Sequence, residues 1–230
     1  AGLGLWVGYR NGDVSFNLKN AITAHEFPKT LPNASQDAAG TLGTAGQAPE
    51  QTTTMTTETA TANPIVTLKT SQGDITIELY QDLMPITAGN FLALAQKDFY
   101  DNTKFHRVID GFMIQGGDPN TKTDKVDTYG TGGPGYAIAD EFVQNDKLSN
   151  VRGTIAMANS GPHSGGSQFF INLVDNTGLD FDKPPENSSH PVFGMVIAGM
   201  DVADEIAKVP INERDMPLEP VVIADVTVKE

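Results

Sequence analysis

The sequence predicts a mostly β protein: antiparallel strands in a barrel or sandwich, two helices, and a long N-terminal extension. Three observations predict it. Short strand-like runs separated by glycine-rich turns recur from residue 64 onward. Only two segments there place apolar residues at helical spacing. Composition changes near residue 63, because 30–63 is rich in Thr, Ala, Gly, Pro and Gln and poor in large apolar groups.

The elements follow in order. Val7–Arg10 and Asp13–Phe16 flank Asn11-Gly12, a two-residue hairpin signal in the extension 1–29. A lone hairpin is marginal in water, so it must pack on the main domain, a partner or an anchor. Residues 30–63 read as a flexible linker, since ordering the Thr-rich centre costs backbone entropy and buries nothing. Ile65–Thr70 and Asp74–Leu79 read as strands joined at Ser71-Gln72-Gly73. Ile75, Ile77 and Leu79 share one face of the second, opposite Thr76 and Glu78.

Pro85 suits a first helical turn, and Ala88, Phe91, Leu92 and Ala95 follow at helical spacing. Strand-like runs recur at 105–109, 112–115, 154–158, 168–174 and 192–197. A second helix is expected at 201–208, with Val202, Ala203 and Ile206 as its apolar stripe and Pro210 ending it. Val221–Val228 closes the sheet, and no repeat of 20–50 residues is visible.

The 230 residues suit one sizeable domain or one domain with an appendage. A formal net charge of -14 disfavours nucleic acid and anionic membrane surfaces. The absence of cysteine excludes disulfides, thiolate chemistry and Cys-based zinc sites. No run approaches the ~18 apolar residues of a spanning helix. The apolar stretch Ala1–Tyr9 reads either as the stump of a removed anchor or as an ordinary strand, and the first residue is not Met, as in a processed or truncated chain.

Two blocks carry the chemistry. Phe105-His106-Arg107-Val108-Ile109-Asp110-Gly111-Phe112-Met113-Ile114-Gln115-Gly116-Gly117-Asp118 sets one cation among aromatic and aliphatic residues. Met157-Ala158-Asn159-Ser160-Gly161-Pro162 and Gly166-Ser167-Gln168-Phe169-Phe170 form the second. Together they resemble the active site of the cyclophilins, which are peptidyl-prolyl cis-trans isomerases. The resemblance covers roughly 64–229. It implies a closed eight-stranded antiparallel barrel capped by two helices, with the site on the outer face. The activity it implies needs no cofactor, metal or covalent nucleophile.

By this resemblance Arg107 is the catalytic donor, Gln115 orients it, and Phe112, Met113, Phe170 and Leu179 line the proline pocket. Phe112 is counted with Arg107 and Gln115 as catalytic. Ala158, Asn159 and Gln168 are expected to bind the peptide backbone, His190 the pocket, and His106 the groove border. Outside this context an Arg on a strand is usually a surface ion pair, and the aromatic residues are plain core. Phe169 is assigned to the core, because strand alternation turns it away from Phe170.

Two departures from the family pattern stand out. Gly178 occupies the place where the family usually carries Trp or Phe before Leu179, and a long loop follows to Ser189. The missing wall predicts weak binding of cyclosporin-type cyclic peptides, with Phe181 as a candidate substitute. The segment 118–127 carries many side-chain oxygens, yet Lys122 and the missing loop glycine argue against an EF-hand, so a solvated loop is expected. Gly130–Tyr136 lacks the Gly-Lys-Ser/Thr of a phosphate cradle, and Gly165–Gln168 is no nucleophile elbow.

The expected substrates are proline-containing unfolded or flexible polypeptides. A proline-peptide binding or holdase module is the rival reading, although a binder has no need of Arg107. A tethered accessory subunit docking through 1–29 is a third. The Thr-rich spacer behind an apolar N-terminus favours an extracytoplasmic, membrane-tethered location over the cytoplasm. The sequons at Asn33 and Asn187 are too common by chance to decide it, and Met55 can mimic the start of a shorter cytosolic form.

Overall fold

The computed structural model describes residues 62–184 and 189–229. The hairpin expected at 7–16 and linker residues 30–61 lie outside them. The Asn63 side chain donates to Glu78 Oε1 and accepts from the Asp82 N–H.

Nine strands form one antiparallel, barrel-like sheet: β1 (Ile65–Thr70), β2 (Gly73–Leu79), β3 (Thr103–Lys104), β4 (Arg107–Ile109), β5 (Met113–Gly116), β6 (Thr154–Met157), β7 (Phe169–Asn172), β8 (Val192–Ala198) and β9 (Val222–Lys229). Their order is β3-β9-β1-β2-β8-β6-β7-β5-β4. The two helices are α1 (Pro85–Ala95) and α2 (Met200–Ala207).

The strand count corrects the expectation of eight. The run expected as a single strand at 105–109 changes partners in its middle. The Phe105 N–H donates to the Val221 carbonyl, on the β9 side, whereas the His106 N–H donates to the Gln115 carbonyl on β5. The backbone must turn between those two bonds. Hence β3 pairs with β9, β4 pairs with β5, and the two ends of the sheet order are two residues apart in the chain.

Alternation sets the core. Val66 faces Ile77 and Leu68 faces Ile75 across the β1–β2 ladder, and all four are fully buried. The turn between them needs glycine, since Gly73 adopts φ +134 and a Cβ there would meet Val202 of α2 at 2.9 Å. Phe91 of α1 stands with ring centroids 4.8 Å from Tyr100, 5.3 Å from Phe193 and 5.4 Å from Phe169. That aromatic cluster fixes α1 over the sheet interior, against β8 and β9.

Met84 gives α1 no side-chain cap. Glu141, from a distant loop, accepts hydrogen bonds from the Ile86 and Thr87 N–H groups instead. Helix α2 packs against β2, β4 and β5. It ends at Ala207 with Lys208 as its cap, just ahead of Pro210.

Candidate active site

The site is built on two successive rungs of the sheet. Arg107 is paired with Gln115, Gln115 with Phe170, and Phe170 with Ala156, across β4, β5, β7 and β6. The next rung is Val108, Ile114, Ile171 and Ile155, all fully buried. Side chains alternate faces along a strand, so the apolar rung fixes the register and turns the first rung outward. Phe169 is fully buried in the aromatic cluster, opposite in direction to Phe170.

The β4–β5 hairpin holds Arg107 and Gln115 in this register. Its turn depends on Gly111 at φ +70, with the Phe112 N–H donating to the Ile109 carbonyl. The Arg107 guanidinium is partly exposed, with Nε 3.9 Å from Asp215 Oδ2. Asp215 also accepts the Val108 N–H on its carbonyl at 2.8 Å. Nothing in the sequence marked Asp215, because its loop meets β4 only through the tertiary fold.

Gln115 Nε2 donates to Gln168 Oε1 at 3.0 Å, and Gln168 Nε2 donates to the Gly132 carbonyl at 2.8 Å. Gly132 is held in turn by Asp118. That carboxylate is fully buried and accepts from the N–H groups of Asn120, Gly130 and Gly132. A Cβ at Gly132 would overlap Asp118 Oδ1. The expectation of a solvated loop at 118–127 is therefore corrected at its start. Asp118 and Thr121 are buried, and the exposed part is 122–127. A buried carboxylate needs hydrogen bonds, and the folded-back glycine segment supplies them.

Phe170 is 5% exposed and forms the floor beside the rung. The His190 ring meets it edge-on at 5.3 Å, and His190 Nδ1 lies 3.1 Å from the Met157 carbonyl. The Leu179 carbonyl accepts the His190 N–H, so Leu179 and His190 are fixed together. Phe112 and Leu179 are partly buried against the core, while Met113 is only 2% exposed. Met113 thus supports the pocket from below and offers almost no surface.

Ala158 donates its N–H to the Gln168 carbonyl, joining the second sequence block to itself. The Asn159 side chain is held by the Ser189 carbonyl and the Gly161 N–H. Burial lowers the pKa of both His106 and His190 below the usual imidazole range. His106 is buried, with no hydrogen-bond partner at Nδ1.

A polar network that the sequence reading did not find supports the pocket. Asp180 accepts from Ser149 Oγ, from the Asn150 N–H and from Asn150 Nδ2. Asn150 Nδ2 also donates to the His190 carbonyl, and Asn172 Nδ2 donates to Asn150 Oδ1. Asn176 Nδ2 bridges Asn172 Oδ1 and the Phe112 carbonyl. Asn150 and Asn172 are fully buried. The only hint in the sequence is the density of Asn and Asp around 172–180.

At Gly178 a Cβ would meet none of the described residues within 4 Å. Phe181 does not fill the gap; it stacks on Phe142 at 5.4 Å and 19°. Among the described residues, no three His, Asp or Glu side chains group closely enough to hold a metal ion.

The comparisons agree with this geometry. The family model for the cyclophilin type peptidyl-prolyl cis-trans isomerase matches residues 65–228. The peptidyl-prolyl cis-trans isomerase-like 3 of Dictyostelium discoideum is 45% identical over 168 residues, covering 71% of this chain and 94% of its own. Peptidyl-prolyl cis-trans isomerase B of Escherichia coli is 44% identical over 174 residues, 72% of this chain and 100% of its own. A crystal structure of a Cryptosporidium parvum cyclophilin type isomerase, in the presence of the dipeptide Ala-Pro, superposes with TM-score 0.62 at 31% identity. It covers 72% of this chain and 99% of that one. With the family's motifs in register on one outward rung, the chain belongs to the cyclophilin-type peptidyl-prolyl cis-trans isomerases.

Proposed function

We propose that Arg107, with Gln115 and Phe170 beside it, isomerises Xaa-Pro bonds in unfolded or flexible polypeptides. The observation that carries this reading is the single outward rung Arg107–Gln115–Phe170. Rotation about the bond faces a barrier of roughly 18–20 kcal/mol from amide resonance. In the twisted state that resonance is lost and the prolyl nitrogen regains a lone pair. A donor aimed at this nitrogen stabilises the twisted amide over both planar forms, which is differential binding. A guanidinium suits the task because it is planar, permanently charged and a rigid donor.

Gln115 fixes where the guanidinium sits, and Asp215 limits its outward swing. Phe112, Met113, Phe170, Leu179 and His190 shelter the proline ring from water, which favours the less polar twisted amide. Ala158, Asn159 and Gln168 hold the peptide, with Asn159 at the residue before proline. Support for a proline peptide as ligand comes from the Cryptosporidium relative, whose structure was determined in the presence of Ala-Pro. The bend at Phe105–His106 supports reading the sheet as a closed barrel, in which β3 and β4 count as one kinked strand. The open position at Gly178 supports weak cyclosporin binding. The Thr-rich spacer after an apolar N-terminus supports an extracytoplasmic location with residues 1–29 as a tether or docking segment.

The test is cis-to-trans exchange of an Ala-Pro-Phe-type peptide followed by NMR, with wild type and Arg107→Ala at matched concentration. Strong acceleration, reduced roughly hundredfold in the variant with its fold intact, is the expected result. Peptide binding without acceleration would replace the enzyme reading with a docking module.

A further inference from the structure

A second cavity, of about 170 Å³, opens beside the rung. Its base is Lys104, Phe105 and His106, and its walls are Val126 and Tyr129 on one side and Met216, Pro217 and Leu218 on the other. The motifs of the proline site do not account for it, apart from the shared Phe105 and His106. Two chain connections tie it to the site: His106 precedes Arg107, and Met216 follows Asp215, the ion-pair partner of Arg107.

Most of the lining is apolar and partly uncovered, with Lys104, His106, Asp124 and Tyr129 as its polar members. Val126 is 40% exposed and Leu218 62%. The Lys104 ammonium is held to one side, where its Nζ donates to Tyr129 Oη at 3.1 Å. The two walls are bridged at the surface by Arg214 and Asp127, 3.3 Å apart. Such an exposed pair contributes little to holding the walls together. A cavity of about 150 Å³ lined by apolar side chains accommodates benzene, so one of this size takes a phenylalanine or leucine side chain.

Strand order gives the direction. Across β4-β5-β7-β6, Arg107 lies on one flank and the Ala158–Asn159 segment follows the strand on the other. A peptide whose residue before proline sits at Asn159 therefore leaves the groove past Arg107, toward the cavity. We propose that this cavity is a second subsite, which takes a bulky apolar side chain a few residues C-terminal to the substrate proline. The inference rests on the proposed use of the Arg107 rung.

The experiment uses the full chain and a set of Ala-Pro peptides with Phe or Ala placed two, three or four residues after proline. NMR exchange yields kcat/KM for each, and chemical shifts report on Val126, Met216 and Leu218. The expected result is roughly tenfold higher kcat/KM for Phe at one position, with shifts at those three residues. In Leu218→Asp the Phe-to-Ala ratio falls toward one. Equal acceleration of all peptides, with no shift at Val126, Met216 or Leu218, would overturn the subsite and leave the isomerase reading standing. No acceleration of any peptide would remove the isomerase reading itself and the subsite with it. The same shifts from a Phe peptide lacking proline, without any preference in kcat/KM, would overturn the subsite in favour of an independent docking pocket.

Discussion

Gln115 Nε2 lies 3.0 Å from Gln168 Oε1, and this bond joins the two sequence blocks of the site across β5 and β7. Gln168 is anchored in turn on the Gly132 carbonyl, whose loop is gathered around the buried Asp118. The Gln115 side chain is thus linked through Gln168 and Gly132 to a fully buried carboxylate.

The glutamine pair should act as one unit. Gln115→Ala and Gln168→Ala are each expected to lower kcat/KM roughly tenfold or more, since a small misplacement of the donor is costly. The double variant should lose less than the product of the two, with a coupling of about 1 kcal/mol. A double-mutant cycle on peptide isomerisation measures it; strictly multiplicative losses would show that the bond does not orient Arg107.

Gly178 should control the affinity for cyclic peptide. A Cβ there meets no atom of the described residues within 4 Å and the backbone is not left-handed, so Gly178→Trp is compatible with the described fold. Wild type should bind cyclosporin more weakly than low nanomolar, and the variant roughly tenfold or more tightly through added aromatic burial. Isothermal calorimetry checks both. Low-nanomolar affinity in the wild type would mean that another side chain already serves as the wall.

Stability should fall on mild acidification. Burial lowers the His190 pKa from its ordinary 6.5, against the opposing effects of the Met157 carbonyl and Asp140, and burial lowers that of His106 too. Below pH about 6.5 the unfolded chain takes up protons that the folded one refuses, so the unfolded state gains. The urea midpoint should therefore be flat above neutrality and decline as pH falls through 6.5 toward the lowered folded values. His190→Gln should remove part of that decline. Identical pH profiles for variant and wild type would show that His190 protonates as easily folded as unfolded.

Much was legible before the fold was known. The alternation in Ile75, Ile77 and Leu79 marked β2, and Pro85 with Phe91 and Leu92 marked α1. Both signals are local, because strand and helix periods are written in consecutive residues. The Arg107 and Phe170 motifs were equally plain. The break at Phe105–His106 was not, since the two residues look strand-like and differ only in which distant carbonyl each amide reaches.

The sequence by itself determined the mostly β class of fold and the family with its isomerase activity, because burial pattern and motif spacing are properties of the chain. Only the tertiary structure decided that Asp215 faces Arg107, that Asp118 is buried beneath the glycine loop, and that Asn150 links Asp180 and Asn172 to the His190 carbonyl. Those relations link residues far apart in the chain. Whether a carboxylate or an amide ends up solvated or enclosed depends on what the rest of the fold brings to it.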